Sequence, residues 1–351
     1  MVNNKIFIVC KYLKTGGPRS LHQLGNILKS KGKDVYIYYF NNPNATNPIY
    51  EDCNCKVVNR VEDSCNNIVI IPETCFHLLD EFTKCKICIW WLSLYFYRKE
   101  DANWQILQLL DLNGLPHILY PIAYLSKRVR NLINRKELHD IYSYEKRYYQ
   151  YLHFYNCEYA REYIKSIGIS DHQMHYLCGP LEKYFYKMDY NVILRKKRNL
   201  ILINPSKSSR YLLYALKKGI KRVCKDVEIV ELKNLTPEQI KTLFVQAKLY
   251  IDLGLFPGPE RMPREAVAAY CNIITSKNGA AKNDIDVPIP EQYKFKTNII
   301  DVSKTVRLAS DMIMDYENYL SDFDSYRMKV YKQIDGFEND IDEIIQLIDT
   351  L

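Results

Sequence analysis

The segment from Phe256 to Ala281, FPGPERMPREAVAAYCNIITSKNGAA, sets two carboxylates and two guanidiniums (Glu260, Glu265, Arg261, Arg264) at one loop-to-helix junction stiffened by Pro257, Pro259 and Pro263. Guanidinium forks hold phosphate or carboxylate oxygens in pairs. Pro263 suits the first helical position, which makes Met262 the cap; a thioether is a poor acceptor for helix N–H groups, so the helix start is open to a ligand. Glu265 then falls in the first turn. Two readings of it stand: it accepts hydrogen bonds from a vicinal diol such as a ribose, or it bonds back to the Met262 N–H, worth about 0.3–1 kcal/mol. A surface pair between Glu260 and Arg264 would add at most about 1 kcal/mol and would not explain the prolines.

Two more stretches carry groups of this kind. Asn204-Pro205-Ser206-Lys207-Ser208-Ser209-Arg210 supplies a point charge, a fork and several hydroxyls between an apolar run and a helix. That set suits an anion, although it lacks the glycines of a P-loop; the other reading is surface charge on a polar loop. Thr15-Gly16-Gly17-Pro18-Arg19-Ser20 lets the backbone approach a ligand and leads into a helix with free N–H groups. Its alternative is a tight turn with Ser20 as helix cap. Neither stretch has the GxGxxG pattern, so no dinucleotide cofactor is expected. No metal is expected either, because Asp284-Ile285-Asp286 reads as a structural loop.

These stretches follow strands. Lys5–Cys10, a helix from Ser20 and a strand at Asp34–Phe40 form a strand-helix-strand unit, which implies parallel pairing. Apolar runs near 67–71, 87–92, 117–120 and 151–155 extend the first domain, with helices at 99–112, 137–150 and from Glu158. A second domain opens with strands at 199–203, 227–232, 249–253 and 273–275 and a helix opened by Thr236-Pro237. Residues beyond about 305 read as helix. The expected organisation is α/β: residues 1–190 as one Rossmann-like domain, 191–325 as a second, and a helix at 326–351 that packs back on the first.

At 351 residues and 47% hydrophobic composition the chain can form two cores. A net charge of +8 is mild and does not mark a nucleic-acid binder. The runs Lys127-Arg128-Val129-Arg130 and Arg195-Lys196-Lys197-Arg198 are candidates for contact with a phosphate-rich surface such as a membrane face, or are solvated faces. No apolar run is long enough to span a bilayer. The eleven cysteines, Cys53, Cys55, Cys85 and Cys88 among them, read as reduced core thiols. A cytoplasmic protein is expected.

Residues 263–276, PREAVAAYCNIITS, resemble the P-x-E-A-M-A-x-G-x-P-V-I-A-S signature of GT-B glycosyltransferases, especially the family-4-like group. The N-terminal strand-Gly-Gly-helix unit is similar to the first βα unit of those enzymes, and Asn156-Cys157-Glu158-Tyr159-Ala160-Arg161 to the segment closing their first domain. The resemblance implies a GT-B fold, with two Rossmann-like domains facing a cleft. It implies a nucleotide-diphosphate sugar as donor, held mainly by the second domain, and a glycan or lipid-linked acceptor, as in surface polysaccharide assembly. Glu265 matches the second glutamate of an E-x7-E motif, on the donor ribose. Lys207 and Arg210 lie where a basic pair meets the diphosphate, and Gly16 and Gly17 match the glycine-rich loop beside it. Donor-binding residues are thus Gly16, Gly17, Asn204, Lys207, Arg210, Arg261 and Glu265, and candidate catalytic groups are Lys207, Arg210, Glu260 and Arg264. The sequence departs from the pattern at three places: Pro257 stands where the first glutamate falls, Tyr270 replaces a glycine, and Trp91-Leu92-Ser93 stands where a histidine is frequent. A noncatalytic nucleotide-sugar-binding subunit and a nucleotide-sugar epimerase are the alternatives.

Overall fold

The computed structural model describes residues 4–98, 102–112, 115–133, 147–186, 188–206, 208–297 and 299–350. The chain divides into two compact units: residues 1–97, 141–180 and 333–351 form one, and residues 98–140 and 181–332 the other. Most of the helix expected at 137–150 lies outside the described residues. Among the described residues no helix is long and apolar enough to cross a membrane.

The first unit is built on seven parallel strands: β1 (Lys5–Cys10), β2 (Asp34–Tyr39), β3 (Lys56–Val58), β4 (Ile68–Pro72), β5 (Lys86–Trp91), β6 (Leu152–Tyr155) and β7 (Met174–Tyr176). Their order is β3-β2-β1-β4-β5-β6-β7. β1 pairs with β2 on one side and β4 on the other, so the strand order reverses there. Such strands read as continuous apolar runs because both faces are covered; every residue of β4 is buried. The helix Gly16–Ser30 turns Leu21, Leu24 and Leu28 to the sheet. It begins at Gly16, with Thr15 at the N-cap, so Ser20 is not the cap: its hydroxyl lies inside the helix and donates to the Gly16 carbonyl.

The C-terminal helix, Asp324–Thr350, completes this core. Phe337, Ile341, Ile344 and Ile348 recur at helical spacing and join Ile6, Ile8, Leu21, Leu24 and Leu28 in one cluster. Lys31 and Lys33 pair with its Asp342 and Asp349, each at 2.6 Å. All the cysteines are free thiols and most are buried, Cys85 just before β5 and Cys88 on it among them.

The second unit holds β8 (Arg198–Ile203), β9 (Glu228–Glu231), β10 (Ala247–Asp252), β11 (Asn272–Ser276) and β12 (Lys294–Phe295). They form a parallel sheet in the order β12-β11-β10-β8-β9, which reverses between β8 and β10. The strand expected at 117–120 is instead a short 3-10 turn, His117–Leu119, running into the helix Tyr120–Ile133. Pro121 permits this because it falls in the first helical turn, where its missing N–H has no partner to lose.

The amino ends of β8, β10 and β11 meet at a half-buried cation. Lys197 donates to the carbonyls of Phe244 (3.0 Å), Ala247 (2.6 Å) and Ala269 (2.7 Å), with the Cys271 thiol at 3.5 Å. An ammonium has three donors, so three carbonyls satisfy it. Phe244 ends the helix Pro237–Gln246 and Ala269 caps the helix Arg261–Ala268, so the cation also meets the negative ends of two helix dipoles. Lys197 is therefore not part of a solvated basic face. Burial lowers its pKa from the ordinary lysine value, and the neighbouring Cys271 opposes that shift.

The helix Arg261–Ala268 ends in a Schellman motif, with the Cys271 N–H on the Ala266 carbonyl and the Tyr270 N–H on the Val267 carbonyl. Tyr270 sits at φ +58°, where glycine is usual. Its ring carries the Arg327 guanidinium at 4.4 Å and packs edge-on to Tyr190 at 5.1 Å, and Arg327 also donates to the Val267 carbonyl at 2.9 Å. The ring contacts offset a left-handed strain of about 1–2 kcal/mol.

Two outcomes follow for stability, both readable by urea titration. Lys197→Met leaves the Ala269 carbonyl without this donor and the Phe244 and Ala247 carbonyls with only the weak Cys271 thiol, and should cost roughly 2–4 kcal/mol. Tyr270→Ala keeps the strained backbone and loses the ring, so it should be about 1 kcal/mol less stable than Tyr270→Gly, which relieves the strain. Equal stability of the two Tyr270 variants would mean the backbone there is unstrained.

Candidate functional site

In open parallel sheets ligands bind at the carboxyl ends of the strands where the order reverses. In the second unit that point lies between β8 and β10, and Asn204 and Asp252 stand on it. Asn204 donates to Asp252 Oδ2 at 2.8 Å, and so does the Tyr250 hydroxyl at 2.8 Å. Asp252 Oδ1 accepts the Gly254 N–H at 3.0 Å, and Asn204 Oδ1 accepts the Ser206 N–H at 3.0 Å. Ser276, at the end of β11, donates to the Gly254 carbonyl at 2.6 Å. One carboxylate thus fixes the loops leaving three neighbouring strands. The glycines here are sterically required: a Cβ on Gly254 would lie 2.7 Å from the Ser206 carbonyl oxygen, and one on Gly279 (φ +57°) would lie 2.0 Å from that of Phe256.

Burial pushes the Tyr250 hydroxyl well above its usual pKa, and the charges of Asp252 and Glu260 push the same way. Asp252 is the group that sequence reasoning missed. The available signal was an acid closing an apolar strand just before a glycine, YIDLG.

The charged junction is built differently from expectation. The helix starts at Arg261 with Glu260 at the N-cap, so Met262 is not the cap and Pro263 is the third helical residue. Proline fits there because the first turn has no N–H partners to lose. Glu265 accordingly falls beyond the first turn, and its bond back to the Met262 N–H does not form. Arg261 bridges two carboxylates instead, reaching Glu265 Oε1 and Glu182 Oε1 at 3.4 Å each. Arg264 is buried and directs its Nε to the Glu260 carbonyl at 3.4 Å. Burial raises the Glu265 pKa; Arg261 and Arg264 pull it back and Glu182 pushes it further up. Tyr184 lies in the same field, pushed up to about 12 by burial and then by Glu265 and Glu182. Glu182 and Tyr184 were not anticipated, because they precede the second sheet by a long stretch of sequence.

Arg210 is exposed at the first position of the helix Arg210–Val223, whose N-cap Ser209 makes no side-chain cap bond. Lys207 lies outside the described residues. Asn204, Arg261, Glu265, Glu260 and Arg264 all belong to the second unit. Among the described residues no cluster of three His, Cys, Asp or Glu side chains is placed to hold a metal.

Gly16 and Gly17 belong to the first unit, where they open a helix with no acid in its first turn. Gly17 lies beside Leu92, at the end of β5: a Cβ there would be 3.6 Å from Leu92 Cδ1. The Leu92 and Ser93 N–H groups donate to Glu73, at 2.7 and 3.0 Å, and Asn156 donates to the Leu92 carbonyl at 2.9 Å. The carboxyl ends of β4, β5 and β6 are thus tied through one buried carboxylate and one amide. No histidine stands at the end of β5. His153, on β6, accepts from the Trp91 indole at 3.0 Å, and burial lowers its pKa to about 4.

No protein-family model matches the chain, and no curated protein matches it by sequence. Solved structures match it along its whole length. A glycosyltransferase from Rickettsia africae ESF-5 aligns at TM-score 0.63 and 10% identity, over 100% of this chain and 99% of that one. HepE (Alr3699) of Anabaena, solved with UDP-glucose, aligns at TM-score 0.61 and 11% identity, over 97% and 99%. Sucrose-phosphate synthase of Thermosynechococcus elongatus aligns at TM-score 0.63 and 10% identity, over 99% and 98%. The fold is that of the GT-B glycosyltransferases.

Burial drives the Glu73 carboxyl up to about 8, against the pull of its N–H donors. A folded pKa above the unfolded value means the native state holds the extra proton between pH ~4.5 and ~8. The contribution is full below that window and lost as pH rises through it. Wild type should therefore lose stability from pH 5 to 8 relative to Glu73→Gln, by roughly 2–4 kcal/mol. Parallel pH profiles of the two in urea would refute the shift.

Proposed function

We propose that the chain is a glycosyltransferase that moves a sugar from a nucleotide-diphosphate sugar to a glycan or lipid-linked acceptor in surface polysaccharide assembly. The observation that carries the reading is the reversal point of the second sheet, where Asn204 and Asp252 lock the loops at the strand ends, in the unit that also holds the charged helix start Glu260, Arg261 and Glu265. HepE, of the same fold, is known with UDP-glucose, with UDP and glucose, and with UDP.

In this reading Glu265 takes the donor ribose. Its pair with Arg261 is long at 3.4 Å, so the guanidinium can exchange it for phosphate oxygens. The diphosphate leaves with growing negative charge. Lys207, Arg210 and the uncapped start of the Arg210–Val223 helix stabilise that charge without requiring a metal. Glu260 takes the sugar-side role vacated at Pro257, and Arg264 holds the loop that presents it. Gly16 and Gly17, in the first unit, let the backbone approach a ligand closely. A binding subunit without turnover is the second reading, favoured by the missing carboxylate at Pro257.

Thermal-shift titration with UDP and GDP tests the donor site. One of them should stabilise the wild type, and Glu265→Ala should weaken that nucleotide about tenfold or more, the worth of a charged hydrogen bond. Stabilisation by neither nucleotide sinks the donor site, and unchanged affinity in Glu265→Ala sinks the ribose assignment. Nucleotide binding with no sugar transfer across an acceptor panel would select the binding subunit.

A further inference from the structure

The helix Tyr120–Ile133 leaves an apolar face in solvent. Ile122, Leu125 and Val129 are 67%, 62% and 54% exposed, and Ile118, in the turn leading into the helix, is 83% exposed. At 3.6 residues per turn the three helical positions fall within an arc of about 60°. A run of exposed large apolar side chains on one face marks a contact surface, whereas scattered ones do not.

The opposite face is occupied within the unit. Tyr120 hydrogen-bonds Asn103 and Lys127 reaches Gln105, both on the neighbouring helix Ala102–Leu112. That contact fixes which face looks outward. Arg128 and Arg130, exposed, fall on the two flanks of the apolar stripe, about 90–110° from its centre. Residues 115–134 include no aspartate or glutamate. The surface is therefore an apolar stripe edged by cations with no acid in the segment.

From this arrangement we infer that the Tyr120–Ile133 helix docks the protein on an anionic lipid bilayer, lying in the plane of the surface. Ile118, Ile122, Leu125 and Val129 enter the headgroup boundary, and Arg128 and Arg130 reach lipid phosphates from either side. The charge pattern selects this occupant: a protein partner or a second copy would need carboxylates opposite the two arginines, whereas an anionic leaflet presents phosphates on both flanks. At fourteen residues the helix is too short to span a bilayer. The inference adds a docking surface to the lipid-linked acceptor reading, but it stands on the helix alone, and its test reads binding without sugar transfer.

The full chain is sedimented with phosphatidylcholine vesicles and with phosphatidylcholine vesicles containing phosphatidylglycerol. Wild type should partition onto the anionic vesicles, more weakly at high salt, and little onto the neutral ones. Ile122→Ser/Leu125→Ser should weaken partition roughly tenfold or more through lost apolar burial. Arg128→Gln/Arg130→Gln should remove most of the salt dependence. Circular dichroism confirms that each variant folds, and because these side chains are exposed, folding should be kept. The inference is overturned if wild type ignores anionic vesicles or if the folded Ser variant binds as wild type does. A concentration-dependent dimer that the Ser variant abolishes, without vesicle binding, would assign the face to a second copy and overturn it as well.

Discussion

A single ammonium organises the second unit. Lys197 closes the carboxyl ends of two helices and the first residue of β10, carbonyls for which the only other side-chain donor is the Cys271 thiol, on Phe244 and Ala247. Removing a cation from water is costly, and the cost is met only where every donor finds an acceptor. That requirement fixes where the helix Arg261–Ala268 can end relative to β8 and β10. With its end pinned, and with Arg327 and Tyr270 completing the turn, its start is fixed eight residues earlier, where Glu260, Arg261 and Glu265 stand. The charged junction is thus positioned from the far side of the sheet.

The same logic recurs at the carboxyl side, with buried acids in place of the cation. Asp252 gathers Asn204, Tyr250 and the Gly254 N–H in the second unit. Glu73 gathers the Leu92 and Ser93 N–H groups in the first. In each sheet a buried acid lies at or beside the reversal of strand order, where loops diverge and backbone donors lack strand partners. Such groups hold the loop ends rigid and leave the next residues along to meet a ligand.

The fold was legible because parallel strands buried on both faces announce themselves as apolar runs, and because turns with glycine or proline separated them. The C-terminal helix was legible as a helical pattern beyond about residue 305, and the structure shows which of its residues, Phe337, Ile341, Ile344 and Ile348, meet the core. The error at 117–120 came from the same rule: a short apolar run cannot be told from a helix start, and Pro121 decided it. Lys197 was illegible, since in sequence it is one of four consecutive basic residues, and only the convergence of three carbonyls from distant segments distinguishes it. Asp252 was hidden for a similar reason, as the polar end of an apolar run. Glu182 and Tyr184 could not be placed beside Glu265 without the tertiary structure.

The departures at Pro257 and Tyr270 have different physical standing. Tyr270 occupies a backbone site that favours glycine, and Arg327 and Tyr190 give its ring a role there, so the substitution is compensated within the fold. Pro257 is a change of side-chain chemistry, and no backbone contact can restore a carboxylate. In the donor-site reading proposed above, the compensation comes from another acid, Glu260, which stands at the N-cap of the helix Arg261–Ala268. Because the helix begins at Arg261, Glu260 lies on the loop side of its first turn, where its charge bears on the Tyr250 hydroxyl beside Asp252. A start at Pro263 would have placed Glu260 on the loop, away from the cap. The two-residue difference in where the helix begins therefore decides which side chain stands at its cap, Glu260 rather than Met262.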